Sequence, residues 1–159
     1  MNHTSVSTSS ALVAEPCLSD DEPCLRILLA EDNHELRRLL SFVLRSEGYQ
    51  VVEVHDGSAL LDALAFSIIE GGRDSFDVVI CEQGIPGIAG LAVLAGLRAR
   101  ESALPFILIT ASTDIQGQAR QLGAVVLARP LTVEAVRGAV RQTENTRRAQ
   151  PAPLSFVRP

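Results

Sequence analysis

Five side chains able to handle charge or protons fall immediately after short apolar runs. Glu31 and Asp32 follow Ile27-Leu28-Leu29-Ala30, Glu82 follows Val78-Val79-Ile80-Cys81, and Thr110 follows Phe106-Ile107-Leu108-Ile109. Arg129, ahead of Pro130, lies just past Val125-Val126-Leu127. Three carboxylates facing one guanidinium leave a net negative crevice, enough to attract a divalent cation. Magnesium demands near-octahedral oxygen geometry, so a Glu82 turned toward Arg129 would leave its shell incomplete. The bland alternative is a solvated acidic rim, but the charged residues stand at separate run ends, far apart in sequence.

The runs themselves say how these residues are brought together. With Val51-Val52-Glu53-Val54 there are five, mostly continuous rather than alternating, as in strands buried on both faces. Between them lie helical stripes: Leu36, Leu39, Leu40, Val43 and Leu44, closed by Gly48; Leu60, Leu61, Leu64, Ala65 and Ile68, closed by Gly71-Gly72. Leu91, Leu94 and Leu97 mark a third helix, Ile115, Ala119 and Leu122 a fourth, and Val133, Val136 and Val140 a fifth. The order (βα)5 with right-handed crossovers predicts an α/β fold, a doubly wound parallel sheet covered by helices on both faces. Ligands of such sheets sit outside the carboxyl ends of the strands, where the five side chains fall.

The chain has 159 residues, against about 150 for one domain, so a single domain with short tails is expected. Residues 1–24 read as a flexible N-terminal leader, although Ala11-Leu12-Val13-Ala14 within it could dock; residues 25–142 form the domain, and 143–159 read as a flexible C-terminal tail. Fourteen basic residues, all Arg, against 19 acidic ones give a net charge of -5 with only 4% aromatics. That composition lacks the basic footprint and stacking surface of a nucleic-acid binder. Cys17, Cys24 and Cys81 fit neither a disulfide framework nor a zinc site. With no apolar stretch of membrane-spanning length and no secretory start, a cytoplasmic location is expected, without membrane contact.

Taken together, these residues resemble a receiver domain of a bacterial two-component response regulator. The resemblance runs from Leu25 to Val140 and rests on Ile27–Asp32, Gly48-Tyr49, Asp56-Gly57, Phe76–Ile80, Ile85-Pro86-Gly87 with Gly90, Ile109-Thr110-Ala111, Leu122-Gly123-Ala124 and Arg129-Pro130. It implies a flavodoxin-like sheet of strand order 2-1-3-4-5 and a cis Arg129-Pro130 bond. In that family an acidic pair after the first strand and an Asp after the third hold magnesium, and that Asp accepts a phosphoryl group from a histidine kinase. A Thr or Ser after the fourth strand and a Lys before the final Pro contact the phosphate. Glu31 and Asp32 match the acidic pair and Thr110 the switch hydroxyl.

Three positions depart from that pattern: Glu82 stands at the phosphoacceptor, Arg129 at the Lys, and Val126 at the aromatic switch residue. Glu82 carries its carboxylate about one C–C bond, ~1.5 Å, further out than Asp would. In-line phosphoryl transfer depends on positioning, so acceptance should be slow. Arg129 could instead meet Glu82 in a two-pronged ion pair that Lys cannot make, although a chain without Lys could carry Arg there for compositional reasons alone. Asp77 precedes its strand and is not expected to substitute as acceptor. The stretch Leu60 to Asp74 is longer than usual, which implies an extended second helix or loop.

The expected function is a pseudo-receiver, a signalling module and not an enzyme, acting by protein contact independently of phosphorylation, with no cofactor or only weakly bound magnesium at Glu31, Asp32 and Glu82. Its partner, a histidine kinase or a downstream signalling protein, is expected on the helix 4, strand 5, helix 5 face carrying Asp114, Gln118, Arg120, Glu134, Arg137 and Arg141; a homodimer stays open. The alternatives are a phosphorelay receiver accepting slowly at Glu82, or a decoy for a kinase. A flavin-binding protein could share the sheet order, but Glu31-Asp32-Asn33-His34-Glu35 would repel the flavin phosphate, and His34 and His55 are too isolated to serve as a general base.

Overall fold

Five parallel strands form one sheet in the order β2-β1-β3-β4-β5: β1 (Arg26–Ala30), β2 (Gln50–Val54), β3 (Val78–Glu82), β4 (Phe106–Thr110) and β5 (Val125–Ala128). The computed structural model describes residues 24–69 and 75–149. The helices α1 (His34–Ser46), α2 (Gly57–Ile69), α3 (Gly90–Ala99), α4 (Thr113–Gln121) and α5 (Val133–Ala149) alternate with the strands. The doubly wound arrangement and strand order are as the sequence led us to expect.

Burial on both faces explains the unbroken apolar runs. Leu28, Val79, Cys81, Phe106 and Leu108 pack on one face against Leu60 and Leu64 of α2, Val93 and Leu94 of α3, and Ala119 of α4. Ile27, Leu29, Ile80, Ile107 and Leu127 pack on the other against Leu40 and Leu44 of α1 and Val136 and Val140 of α5. Consecutive residues on a strand alternate between the two. Helix ends follow local chemistry: the Asn33 side chain caps α1 by accepting from the Leu36 N–H at 3.0 Å. After α1, Gly48 takes a φ of 93°, the left-handed conformation of a C-terminal glycine.

Two elements differ from the sequence reading. The apolar periodicity of the last helix ends at Val140, but α5 continues to Ala149, so residues 143–149 are helical rather than part of a tail. Thr143 takes the next core-facing position, buried, with its hydroxyl donating to the Val140 carbonyl at 2.7 Å, and Arg147 bonds Asp77 one turn further on. A polar residue satisfied within its own helix thus continues the core face. In α2, Leu60 and Leu64 are buried, but Leu61 and Ile68 of the same stripe face outward. Residues 1–23, 70–74 and 150–159 lie outside the described residues, and with them all but residue 24 of the expected leader and the Gly71-Gly72 expected to close the second helix.

The loops at the carboxyl edge are held by close packing. Gly90 opens α3 so near the sheet that a Cβ there would stand 2.7 Å from Leu108 Cδ1 and 3.0 Å from the Glu82 carbonyl oxygen. Its N–H donates to the Gln83 carbonyl at 3.0 Å, fixing the turn that follows Glu82. Gly90→Ala is therefore expected to destabilise the fold by about 1–3 kcal/mol through overpacking. Gly117→Ala in α4, where a Cβ meets nothing, should stabilise by about 0.5–1 kcal/mol. Urea denaturation of the two variants checks both signs.

Candidate functional site

Strand register sets the geometry of the carboxyl edge. Ala30 of β1 pairs with Cys81 of β3, so Glu31 and Glu82, one residue on, stand side by side at the same height. Thr110 pairs with Ala128, which places Arg129 beyond both, reaching back over the crevice. By the two-residue alternation of strands, Glu82 continues the face of Ile80, and Thr110 continues the opposite face, that of Leu108.

The guanidinium of Arg129 joins the two glutamates. Its Nη2 bonds Glu82 Oε2 closely and lies 3.5 Å from Glu31 Oε2. The expected two-pronged pair does not form; one nitrogen is shared between two carboxylates instead, because Glu31 stands beside Glu82 and also needs a counter-ion. Glu31 is only 1% exposed, whereas Arg129 is 36% exposed. The other Glu31 oxygen, Oε1, accepts from the Asn33 N–H at 3.0 Å. Burial, followed by repulsion from Glu82, raises the Glu31 pKa above the usual carboxylate value, although the Asn33 N–H and the charge of Arg129 oppose the shift. Burial pulls the Arg129 pKa down, but the bond to Glu82 and the charges of Glu82, Glu31 and Asp32 outweigh it and hold the guanidinium more firmly protonated.

The other members of the expected site are less closely engaged. Asp32 sits exposed at the rim. Thr110 is buried, and its hydroxyl accepts from the Ser112 N–H at 3.1 Å, within its own loop. Val126, half-buried, packs into the core beneath α3 and α4. Asp77 lies at the opposite, amino end of β3, where its carboxylate accepts from the Arg26 N–H at 2.8 Å and pairs with Arg147; its place is structural. Burial, with repulsion from Glu82 and Glu31, pushes the Cys81 thiol up to about 12, so it stays protonated and unreactive. The Arg129-Pro130 bond is cis, as the sequence led us to expect.

Sequence reasoning missed Arg37. Its Nη1 donates to the Glu31 carbonyl at 2.7 Å and is 3.4 Å from that of Asp32, while its Nε lies 3.7 Å from Glu53. It braces the acidic loop from behind, and its spacing four residues after the capping Asn33, on the turn of α1 beneath that loop, was the available signal. Of the six residues expected at a partner face, Asp114, Gln118 and Arg120 are exposed on α4. Arg137 is instead paired with Glu47 at 2.9 Å and Glu134 at 2.8 Å, and Arg141 with Glu47 at 3.4 Å. Those charges tie α5 to the end of α1.

The donor set does not fit a magnesium ion as it stands. One oxygen of each glutamate faces Arg129, and no group of three His, Cys, Asp or Glu among the described residues is placed to hold a metal.

Residues 27–141 match the family described as Response regulator receiver domain. Transcriptional regulatory protein YkoG of Bacillus subtilis is 35% identical over 123 residues, covering 73% of this chain and 51% of that protein. The chain therefore spans about half of YkoG's length. Sporulation initiation phosphotransferase F of the same organism is 28% identical over 120 residues, covering 74% of this chain and 91% of that protein. A response regulator receiver domain from Clostridium thermocellum has the same fold, with a TM-score of 0.66 at 22% identity over 78% of this chain and 97% of that one.

Two outcomes are expected of the crevice. Magnesium titration by calorimetry should give a dissociation constant weaker than about 1 mM, strengthened in Arg129→Gln, which frees an oxygen on each glutamate. Since the folded-state pKa of Glu31 is raised, its protonated form stabilises the fold below the unfolded carboxylate pKa, and that stabilisation is lost as pH rises through the folded value. Glu31→Gln should therefore be more stable than wild type at neutral pH, with the gap closing in acid. Urea midpoints across pH test this; a gap that widens in acid would reverse the sign.

Proposed function

The chain belongs to the response regulator receiver domain family, and we propose that it acts within that family as a cytoplasmic interaction module whose output does not depend on phosphorylation. The observation that carries this reading is Arg129 bonded at once to Glu82 and close to Glu31. By the family pattern Arg129 stands for the Lys that contacts a phosphoryl group and Glu82 for the acceptor, one carbon longer than Asp, and their direct bond supports reading the pair as a substitute for the phosphorylated site. One negative charge replaces the ≈ −1.5 to −2 that phosphorylation adds, so the pair imitates the activated state in part. Thr110, bonded within its own loop, and Val126, without an aromatic ring to swing, leave the usual relay to the outer face without its moving parts. The state of the domain is accordingly fixed by sequence. Magnesium plays no part in this reading, and the protein is a binding partner, not an enzyme.

The contact surface we assign is α4 with the adjoining β5 and α5, centred on Asp114, Gln118 and Arg120, because the α5 charges are engaged with Glu47. The partner is a histidine kinase or a downstream signalling protein. A second reading is favoured by the phosphotransferase of B. subtilis, of which this chain covers 91%: a receiver in a phosphorelay, accepting slowly at Glu82 or serving as a kinase decoy.

Incubation with acetyl phosphate and magnesium separates the two readings. The intact mass is expected to stay unchanged, and Glu82→Asp should restore acceptance only poorly while Arg129 and Val126 remain. Stable phosphorylation of the wild-type chain at Glu82 would overturn the proposal in favour of the phosphorelay. Glu82→Ala, which leaves Arg129 with Glu31 alone, should weaken partner capture by about tenfold; unchanged capture would mean that the pair carries no signal.

A further inference from the structure

α2 carries an unusual outer surface. Of its 13 residues only Asp62 is charged, and Leu61, Phe66, Ile68 and Ile69 are 45%, 58%, 59% and 80% exposed. One exposed apolar side chain needs no explanation, but four on one helix of three and a half turns leave its outer surface largely apolar. Leu61, Ala65 and Ile68 border a groove of about 350 Å³ between α2 and α3, closed on the far side by Ala92 and Gly96 and ending at Arg100. A Cβ on Gly96 would meet nothing within 4 Å. Packing within the chain therefore does not require this glycine, an unfavourable residue inside a helix, and its effect is to keep the groove open.

Charge placement selects the occupant. α2 and α3 both start at the carboxyl edge of the sheet, where Gly57 N–H donates to the Pro86 carbonyl at 2.7 Å, and both run back along it. At 1.5 Å rise per residue, Asp62 lies about 7.5 Å and Arg100 about 15 Å below that edge. Neither residue has an ion-pair partner among the described residues. A two-fold axis at the height of Ala65, between them, carries the Asp62 of one copy onto the level of the other's Arg100, and Leu61 onto the level of the other's Ile68. Ala65, small and at the axis, lets the helices approach.

We propose that the α2–α3 groove is the dimerisation surface of this protein, filled by α2 of a second copy running antiparallel to the first, with two Asp62–Arg100 pairs flanking an apolar seam. The contact is isologous. It lies away from the Glu82–Arg129 pair, so it stands or falls independently of the proposed function.

Sedimentation velocity on the full chain from about 1 to 100 μM is expected to show a monomer–dimer equilibrium. Asp62→Arg and Arg100→Asp, both at exposed positions, should each weaken it at least tenfold by setting like charges together. An equimolar mixture of the two variants should recover the dimer, because each then meets its opposite charge across the axis. Phe66→Glu should also yield monomer, with circular dichroism confirming that the fold is intact. A wild-type chain that stays monomeric throughout, as it would if its own terminal segment covered the groove, overturns the proposal. So does a dimer that survives both charge reversals, or a mixture that fails to recover it.

Discussion

A buried carboxylate needs a counter-charge, and the carboxyl edge of this sheet is organised around meeting that need for Glu31. The residue is almost wholly shielded from water, and its neighbour at the same height, Glu82, carries a second negative charge. Two ionised carboxylates so placed repel, and burial strengthens the repulsion by lowering the local dielectric. Arg129 relieves it by lying between them. The geometry is expensive to break from one side: removing the cation leaves an uncompensated buried charge, whereas removing Glu82 leaves Arg129 and Glu31 a matched pair.

That contact depends on register, and register depends on the apolar runs. A one-residue slip of β3 against β1 would turn Glu82 to the opposite face and bury it among Leu108 and Val93. The continuous apolar character of β1, β3 and β4 made the sheet and its loop edge legible in the sequence, and the residues after each run could be identified as neighbours before any contact was known. The form of the contact was less legible. A two-pronged Glu82–Arg129 pair follows from considering those two side chains alone; the shared arrangement follows only once Glu31 is known to be buried beside Glu82, which is a property of three strands at once.

The same distinction explains the other departures from the sequence reading. Thr143 looks like the end of an amphipathic pattern because a hydroxyl counts as polar, yet within a helix it bonds a carbonyl one turn back and packs like a small apolar residue. Leu61 and Ile68 look like core because periodicity records only that residues share a face. How wide a face the sheet covers is set by the neighbouring helix, and α3, narrowed by Ala92 and Gly96, covers less of α2 than its apolar stripe offers. Arg37 was hidden for a third reason: it acts on backbone carbonyls, which no residue type announces.

The pairing of Glu82 with Arg129 also bears on whether the arginine is an accident of composition. The chain contains no lysine, so an arginine at position 129 would be unremarkable if nothing else had changed. Composition does not account for Glu82, because the same chain places Asp at 32, 56 and 77, each holding or bordering a defined turn or strand start. An Asp at position 82 would withdraw its oxygens by about 1.5 Å and lose contact with the guanidinium unless Arg129 followed it down toward Glu31. Lysine, a single compact charge, could serve one carboxylate well but two only at the expense of its hydration. A planar guanidinium that bridges two acids and a carboxylate long enough to reach it are complementary requirements, so Glu82 and Arg129 are two parts of one structural feature.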